Sequence, residues 1–268
     1  MGRIELKSLE QVKWMREAGL VVADIHRSLR EAARPGITTR ELDAVSAQAI
    51  RRAGATSNFL NYAGYPATVC ISINDVVVHG IPGERTLEEG DLVSFDCGAW
   101  VSRNGREWHG DAAFSMIVGD EWIPDEEFAQ GKRAMGAAPG GLSDERIRRR
   151  RELDAVTRES LWAALANLEG ARRVSAVGAA VEDVVALNAD ELGWEAGIIE
   201  EYTGHGIGTA MHQEPEILNY NARGISAKLK PGMVLAVEPM LTAGDPEICE
   251  LDDGWTVVTA DGSHAAQW

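Results

Sequence analysis

The chain has 268 residues, 45% of them hydrophobic and 25% charged, with a formal net charge of −16. That length can bury a substantial core. The acid excess excludes an electrostatic nucleic-acid binder, because neutralising phosphates needs a lysine- and arginine-rich surface. Cys70, Cys97 and Cys249 are odd in number and far apart, so neither a disulfide framework nor a cysteine zinc site is expected. No run approaches ~18 apolar residues, and MGRIELKSLEQ lacks the apolar core of a signal peptide. A cytoplasmic protein without membrane association is expected.

Ser8 with Gln11 forms a capping box, followed by Val12, Met15, Val22, Ile25 and Leu29 at helical spacing. Pro35 and Gly36 stop that helix. Thr38 with Glu41 opens a second, which carries Leu42, Val45, Ala49 and Ile50 on one face and ends at Gly54. Residues 55–118 are rich in turn and strand formers. Asn104-Gly105 predicts a hairpin of Leu92–Val101 with Trp108–Val118. The stretch 121–150 is punctuated by Gly and Pro, and it reads as a surface insertion that ends in a solvated arginine run, Arg148 to Arg151. Leu153, Val156, Leu161, Leu165 and Leu168 mark a third helix, and a fourth follows Ser175. Strand-like sequence then returns, with MVLAVEPML reading as one buried strand. The order is helix, helix, strands, twice over. It predicts one α+β domain of two similar halves, about 37–118 and 172–268.

Two features point to chemistry. YTGHGIGTAMHQEPEILNY, at 202–220, displays His205 and His212 among glycines that permit positive φ or close backbone approach. A Gly-rich turn with two locally bonded histidines would look the same. Asp96 and Asp111 fall on adjacent arms of the predicted hairpin, and Glu238 falls inside an apolar strand. Residues 92–99 and 233–241 contain no lysine or arginine. Buried together, such acids repel and lose hydration, so they call for a cation. With His205 they make an oxygen-rich set for a hard or borderline divalent ion. At strand ends they could instead face solvent.

These residues resemble a known family. VHGIP at 78–82, DLVSFDCG around Asp96, HGD at 109–111, GHGIGTAMHQEP and VEPM at 237–240 are similar, in order, to type I methionine aminopeptidases. The resemblance implies the pita-bread (creatinase/aminopeptidase-like) fold, a curved antiparallel sheet with flanking helices and pseudo-twofold halves. It implies two divalent ions (Co, Mn, Fe or Zn) held by Asp96, Asp111, His205, Glu238 and a fifth ligand. A shared hydroxide would attack the first peptide bond, removing the initiator methionine of nascent chains. Glu238 would double as proton shuttle, His212 would donate to the oxyanion, and His79 would handle the substrate amide. Phe59, Tyr62, Tyr65, Cys70, Met211 and Trp255 fall where the family lines its methionine pocket, although such residues also make ordinary core. His26 and His264 read as structural or exposed.

The sequence departs from the family at its end. DGSHAAQW stops at Trp268, where the family continues into a strand bearing the bridging glutamate. A truncated C-terminal strand and a weak or empty second metal site are therefore expected. A monomer is expected, as is proximity to the ribosome, although no basic patch argues for the latter. Competing readings are a catalytically impaired pita-bread binding protein and a proline-directed aminopeptidase of the same fold.

Overall fold

The computed structural model describes residues 3–132, 144–224 and 226–268. Both predicted capping boxes form. The Ser8 hydroxyl accepts from Gln11 N at the start of α1 (Leu9–Ala32), and Thr38 does the same for Glu41 at the start of α2 (Thr39–Arg52). A cap of this kind is worth about 1 kcal/mol. Met15, Ala18, Val22, Ile25 and Leu29 of α1 are buried, each large one contributing about 1.5–3 kcal/mol. Val12, expected on that stripe, is 38% exposed because it lies on the first turn, beyond the sheet that α1 covers.

The first-half strands are β1 (Thr56–Ser57), β2 (Val69–Ile73), β3 (Val76–Val78), β4 (Leu92–Arg103) and β5 (Arg106–Ile117). The hairpin runs two residues closer to its turn on each arm than predicted, pairing Leu92 with Ile117 through to Arg103 with Arg106. Asn104 (φ 53°) and Gly105 (φ 71°) make the turn, and two positive φ angles match the right-handed twist of the strands they join. β4 also pairs with β1 and β2. The core between this sheet and α1 includes Phe95, Cys97, Trp108 and Phe114.

Next come α3 (Asp125–Ala129), α4 (Asp144–Asn167) and α5 (Ala176–Leu192). The 121–150 stretch departs from a plain surface insertion. Ile123 and Phe128 are buried, and Trp122 packs edge-on to Phe114 and stacks on Trp268. Positions 133–143 of the expected insertion lie outside the described residues. The arginine run is a solvated face only in part: Arg148 is exposed, but Arg150 and Arg151 are not. Arg150 is only 3% exposed, donating to the Gly90 carbonyl and to His264 Nε2, and Arg151 forks onto Asp120 at 2.6 and 2.7 Å. The register of α4 turns these guanidinium groups inward, where carbonyl, imidazole and carboxylate acceptors satisfy them. Leu165 is exposed, and Leu168 falls beyond the end of α4.

The second half is built from short strands: β6 (Gly197–Ile198), β7 (Gly204–Gly206), β8 (Gln213–Ile217), β9 (Leu235–Ala236), β10 (Met240–Thr242), β11 (Ile248–Glu250), β12 (Val257–Thr259) and β13 (Ala265–Gln267). They form the sheets β13-β10-β6, β11-β12-β3 and β8-β7-β9, and β3 ties the second of these to the first half. Every described strand pair is antiparallel. MVLAVEPML is not one strand. It splits into β9, paired with β7, and β10, paired with β13 and β6. Pro239 lacks the N–H that a continuous ladder would need, and Glu238 sits at the break.

Candidate metal centre

The hairpin register explains how Asp96 and Asp111 meet. Asp96 lies opposite Ala113 and Asp111 opposite Gly98, so the two acids are diagonal neighbours on one face. Glu238, at the break between β9 and β10, comes to the same spot from the other half. Its Oε1 is 3.4 Å from His205 Nε2, and Asp111 Oδ2 is 3.8 Å from the same nitrogen. His205 Nδ1 bonds the Gly206 carbonyl at 2.9 Å. That bond fixes the tautomer with Nδ1 protonated and leaves the Nε2 lone pair facing the acids.

The strand carrying His205 is crowded, and here the glycines matter. A Cβ on Gly206 would overlap the Glu214 carbonyl, and one on Gly204 would overlap that of Ala236. Neither residue has positive φ. Close approach, not unusual backbone conformation, is what requires glycine at these positions.

The electrostatics are those of an unneutralised cluster. Burial pushes Glu238 up to about 8, with Asp96 adding to the effect and a hydrogen bond from Gln267 opposing it. Burial also pushes Asp96 to about 7 and holds Asp111 well above the usual carboxylate range, Asp111 being raised further by Asp96 and Glu238. Among the described residues, the ion-pair partner of Asp111 and Glu238 is His205 alone. Asp111 Oδ1 is buried without a hydrogen-bond partner. Ligand atoms of Asp111, His205 and His212 lie within 4.8 Å of one another. Three carboxylates, one with an unpartnered oxygen, and an imidazole lone pair fit a divalent cation.

Every sequence-predicted site residue lines one cleft of about 920 Å³. His79, at φ 60°, stands edge-on to Tyr202 and Trp255, with ring centroids 5.2 and 6.2 Å away. His212 stands edge-on to His205 at 4.4 Å. Burial, with His205, His79 and His109 nearby, depresses His212 to about 4, so it is neutral at pH 7. Phe59, Tyr65, Cys70 and Met211 form one buried apolar cluster, with Trp255 packed against it. Tyr62 stands apart at the rim, 46% exposed, its hydroxyl 3.0 Å from His212 Nδ1. His26 and His264 lie elsewhere, bonded to the Ala112 carbonyl and to Arg150.

Sequence reasoning missed Tyr202, Gln267 and Asn219. Gln267 Nε2 donates to Glu238 Oε2 at 3.3 Å, and Asn219 Nδ2 to the Glu238 carbonyl at 3.0 Å. Each contact is long-range, and no local pattern marks it.

The same chemistry is found in known proteins. The chain is 42% identical over 263 residues to methionine aminopeptidase 1 of Mycobacterium tuberculosis, covering 98% of this chain and 88% of that protein. It is 36% identical over 262 residues to methionine aminopeptidase 1 of Bacillus subtilis, covering 98% and 92%. The crystal structure of Thermotoga maritima methionine aminopeptidase superposes with a TM-score of 0.81 at 33% identity, over 99% of this chain and 93% of that one. Prolidase from Pyrococcus furiosus, at 18% identity and a TM-score of 0.61, shares the fold. Residues 13–261, which carry Asp96, Asp111, His205 and Glu238, match the model of metallopeptidase family M24, and the chain belongs to that family.

Proposed function

We propose that this chain is a metal-dependent methionine aminopeptidase that removes the initiator methionine from nascent chains in the cytoplasm. The observation that carries the reading is the cleft itself. Asp111 and Glu238 converge on His205 Nε2 beside Asp96, and the Phe59–Tyr65–Cys70–Met211–Trp255 cluster lines the same cleft. An exopeptidase for methionine needs both.

Asp96, Asp111, His205 and Glu238 are the residues that would hold divalent ions, drawn from Co, Mn, Fe or Zn. Bound there, the ions supply Lewis acidity toward the scissile carbonyl and the attacking water. The protein's own groups do the rest. The apolar cluster takes the methionine side chain and excludes water around the reacting bond. The acid cluster faces the free α-amine, which restricts cleavage to the first residue. Glu238 accepts a proton from the attacking water and passes it to the leaving amine. The Tyr62 hydroxyl donating to His212 Nδ1 leaves the remaining imidazole proton on Nε2, available to the developing oxyanion. His79 is positioned beside the substrate amide. We read the chain as one catalytic domain, since residues of both halves line the cleft.

The test is hydrolysis of Met-Gly-Gly and of Xaa-Pro peptides by metal-stripped protein reloaded with each metal in turn. Release of free methionine from the first alone is the expected result. No turnover with any metal, despite stoichiometric metal uptake, would overturn the reading.

A further inference from the structure

The turn that carries His212 is weakly laddered. β7 and β8 pair with a register shift at His205/Gly206, so Gly206 lies opposite Gln213 and the residues between leave the sheet. What grips them comes from the other end of the chain. The segment ahead of α1 lies against the turn, with Lys7 N donating to the Gly232 carbonyl at 2.7 Å. The Glu5 carboxylate accepts three bonds: from Thr209 N at 3.0 Å, from the Thr209 hydroxyl at 3.0 Å and from Gln213 Nε2 at 2.9 Å. Lys7 Nζ donates to Gln213 Oε1 at 3.2 Å and lies 3.5 Å from Glu5 Oε2, its side chain only 2% exposed. A Cβ on Gly208 would collide with the Glu5 carboxylate and the Lys7 stem. The strap therefore packs directly onto the turn.

Both residues that Glu5 holds, Thr209 and Gln213, flank His212, and Gln213 is its immediate neighbour. Charge-assisted bonds to a carboxylate are about twice as strong as neutral ones. A buried lysine held by one acid and one amide fixes both in place. We propose that Glu5 and Lys7 are positioning residues for His212. Their ion pair clasps the 208–213 turn and sets where the imidazole stands in the cleft. This rests on the aminopeptidase reading above only for its kinetic consequence.

The experiment compares the full chain with Glu5→Ala, Glu5→Gln and Lys7→Met, and with Glu17→Ala as a control that removes an exposed acid paired with Arg103. Displacing a transition-state donor by about 1 Å costs up to about a hundredfold in rate. Glu5→Ala and Lys7→Met are expected to lower kcat by about ten- to a hundredfold on Met-Gly-Gly, with KM and metal content nearly unchanged. Glu5→Gln, which keeps an acceptor for Thr209, is expected to recover part of kcat. The side-chain ¹⁵N resonances of His212 should shift, and the Thr209 amide should exchange faster, in Glu5→Ala but not in Glu17→Ala. Unshifted His212 resonances in folded Glu5→Ala overturn the proposal whether or not the wild type turns over. If Glu5→Ala does not fold, the same reading is taken from Glu5→Gln and Lys7→Met. Wild-type kcat in all three variants would likewise reduce the strap to a structural contact. Failure of the wild type to release methionine, with His212 shifted in the variants, strikes only the aminopeptidase reading.

Discussion

Asp96 and Asp111 stand on twelve-residue strands that pair along their full length, whereas His205 stands on a three-residue strand and Glu238 on none. The first half fixes its acids by backbone. A dozen paired rungs leave a carboxylate little freedom, and the pleat alone decides which face it occupies. The second half fixes its groups by contact: glycines pressed against carbonyls, a side-chain amide on Glu238, and Glu5 reaching in from some 200 positions away. Rigid and improvised supports meet at one centre.

Variants of the two supports should therefore fail differently. The largest effect is expected for Asp111→Asn. It should bring hydrolysis to background and cut metal uptake, measured by elemental analysis, while the hairpin stays intact. Because it removes one of three mutually repelling buried acids, the metal-free variant should melt above the wild type at pH 8.

A smaller but sharper contrast sets Gly206→Ala against Gly105→Ala. At Gly206 a methyl group must displace the Glu214 carbonyl, and overpacking of this kind costs about 1–3 kcal/mol. Lower stability in denaturant and slower turnover should appear together. At Gly105 the surroundings are open and only positive φ resists, which costs about 1 kcal/mol. The kinetics there should be those of the wild type. Equal kinetic losses in both would erase the distinction between the halves.

Tyr62→Phe keeps the ring beside His212 and removes the hydroxyl. One hydrogen bond of about 0.5–1.5 kcal/mol corresponds to a kcat lower by about two- to tenfold, with KM unchanged.

The smallest effect is a drift with pH. Burial lifts Asp96 to about 7 and Glu238 to about 8, above their ordinary values of 3.8 and 4.5. Raised carboxyls contribute stability that is full below the unfolded value and lost as pH rises through the native one. The histidines with depressed values act oppositely, but only below about pH 6.5. Between pH 6.5 and 8.5 the acids decide the sign, so the metal-free protein should melt lower at 8.5 than at 6.5. Metal uptake should strengthen over the same range as protons leave its ligands. Calorimetry with and without added Mn checks both, and a flat metal-free profile would argue against a shared burial of the acids.

What could be read in the sequence follows the same division. The capping boxes at Ser8 and Thr38 and the Asn104-Gly105 turn are local patterns, and each formed. The acids declared themselves by lacking nearby lysine or arginine. The fate of MVLAVEPML was hidden, because its two ends are claimed by different sheets whose other strands lie far away in sequence. Arg150 looked solvated because its acceptors, Gly90 and His264, lie 60 and 114 positions away in sequence. Glu5 and Gln267 carried no motif for the same reason.

The break at Glu238 has a mechanical consequence. The residue is a seam: β9 before it belongs to the sheet of His205, and β10 after it belongs to the sheet of Gln267. Any relative shift of those two sheets would have to pass through the backbone of Glu238. The residue proposed to move the proton is thereby also the joint between the two sheets.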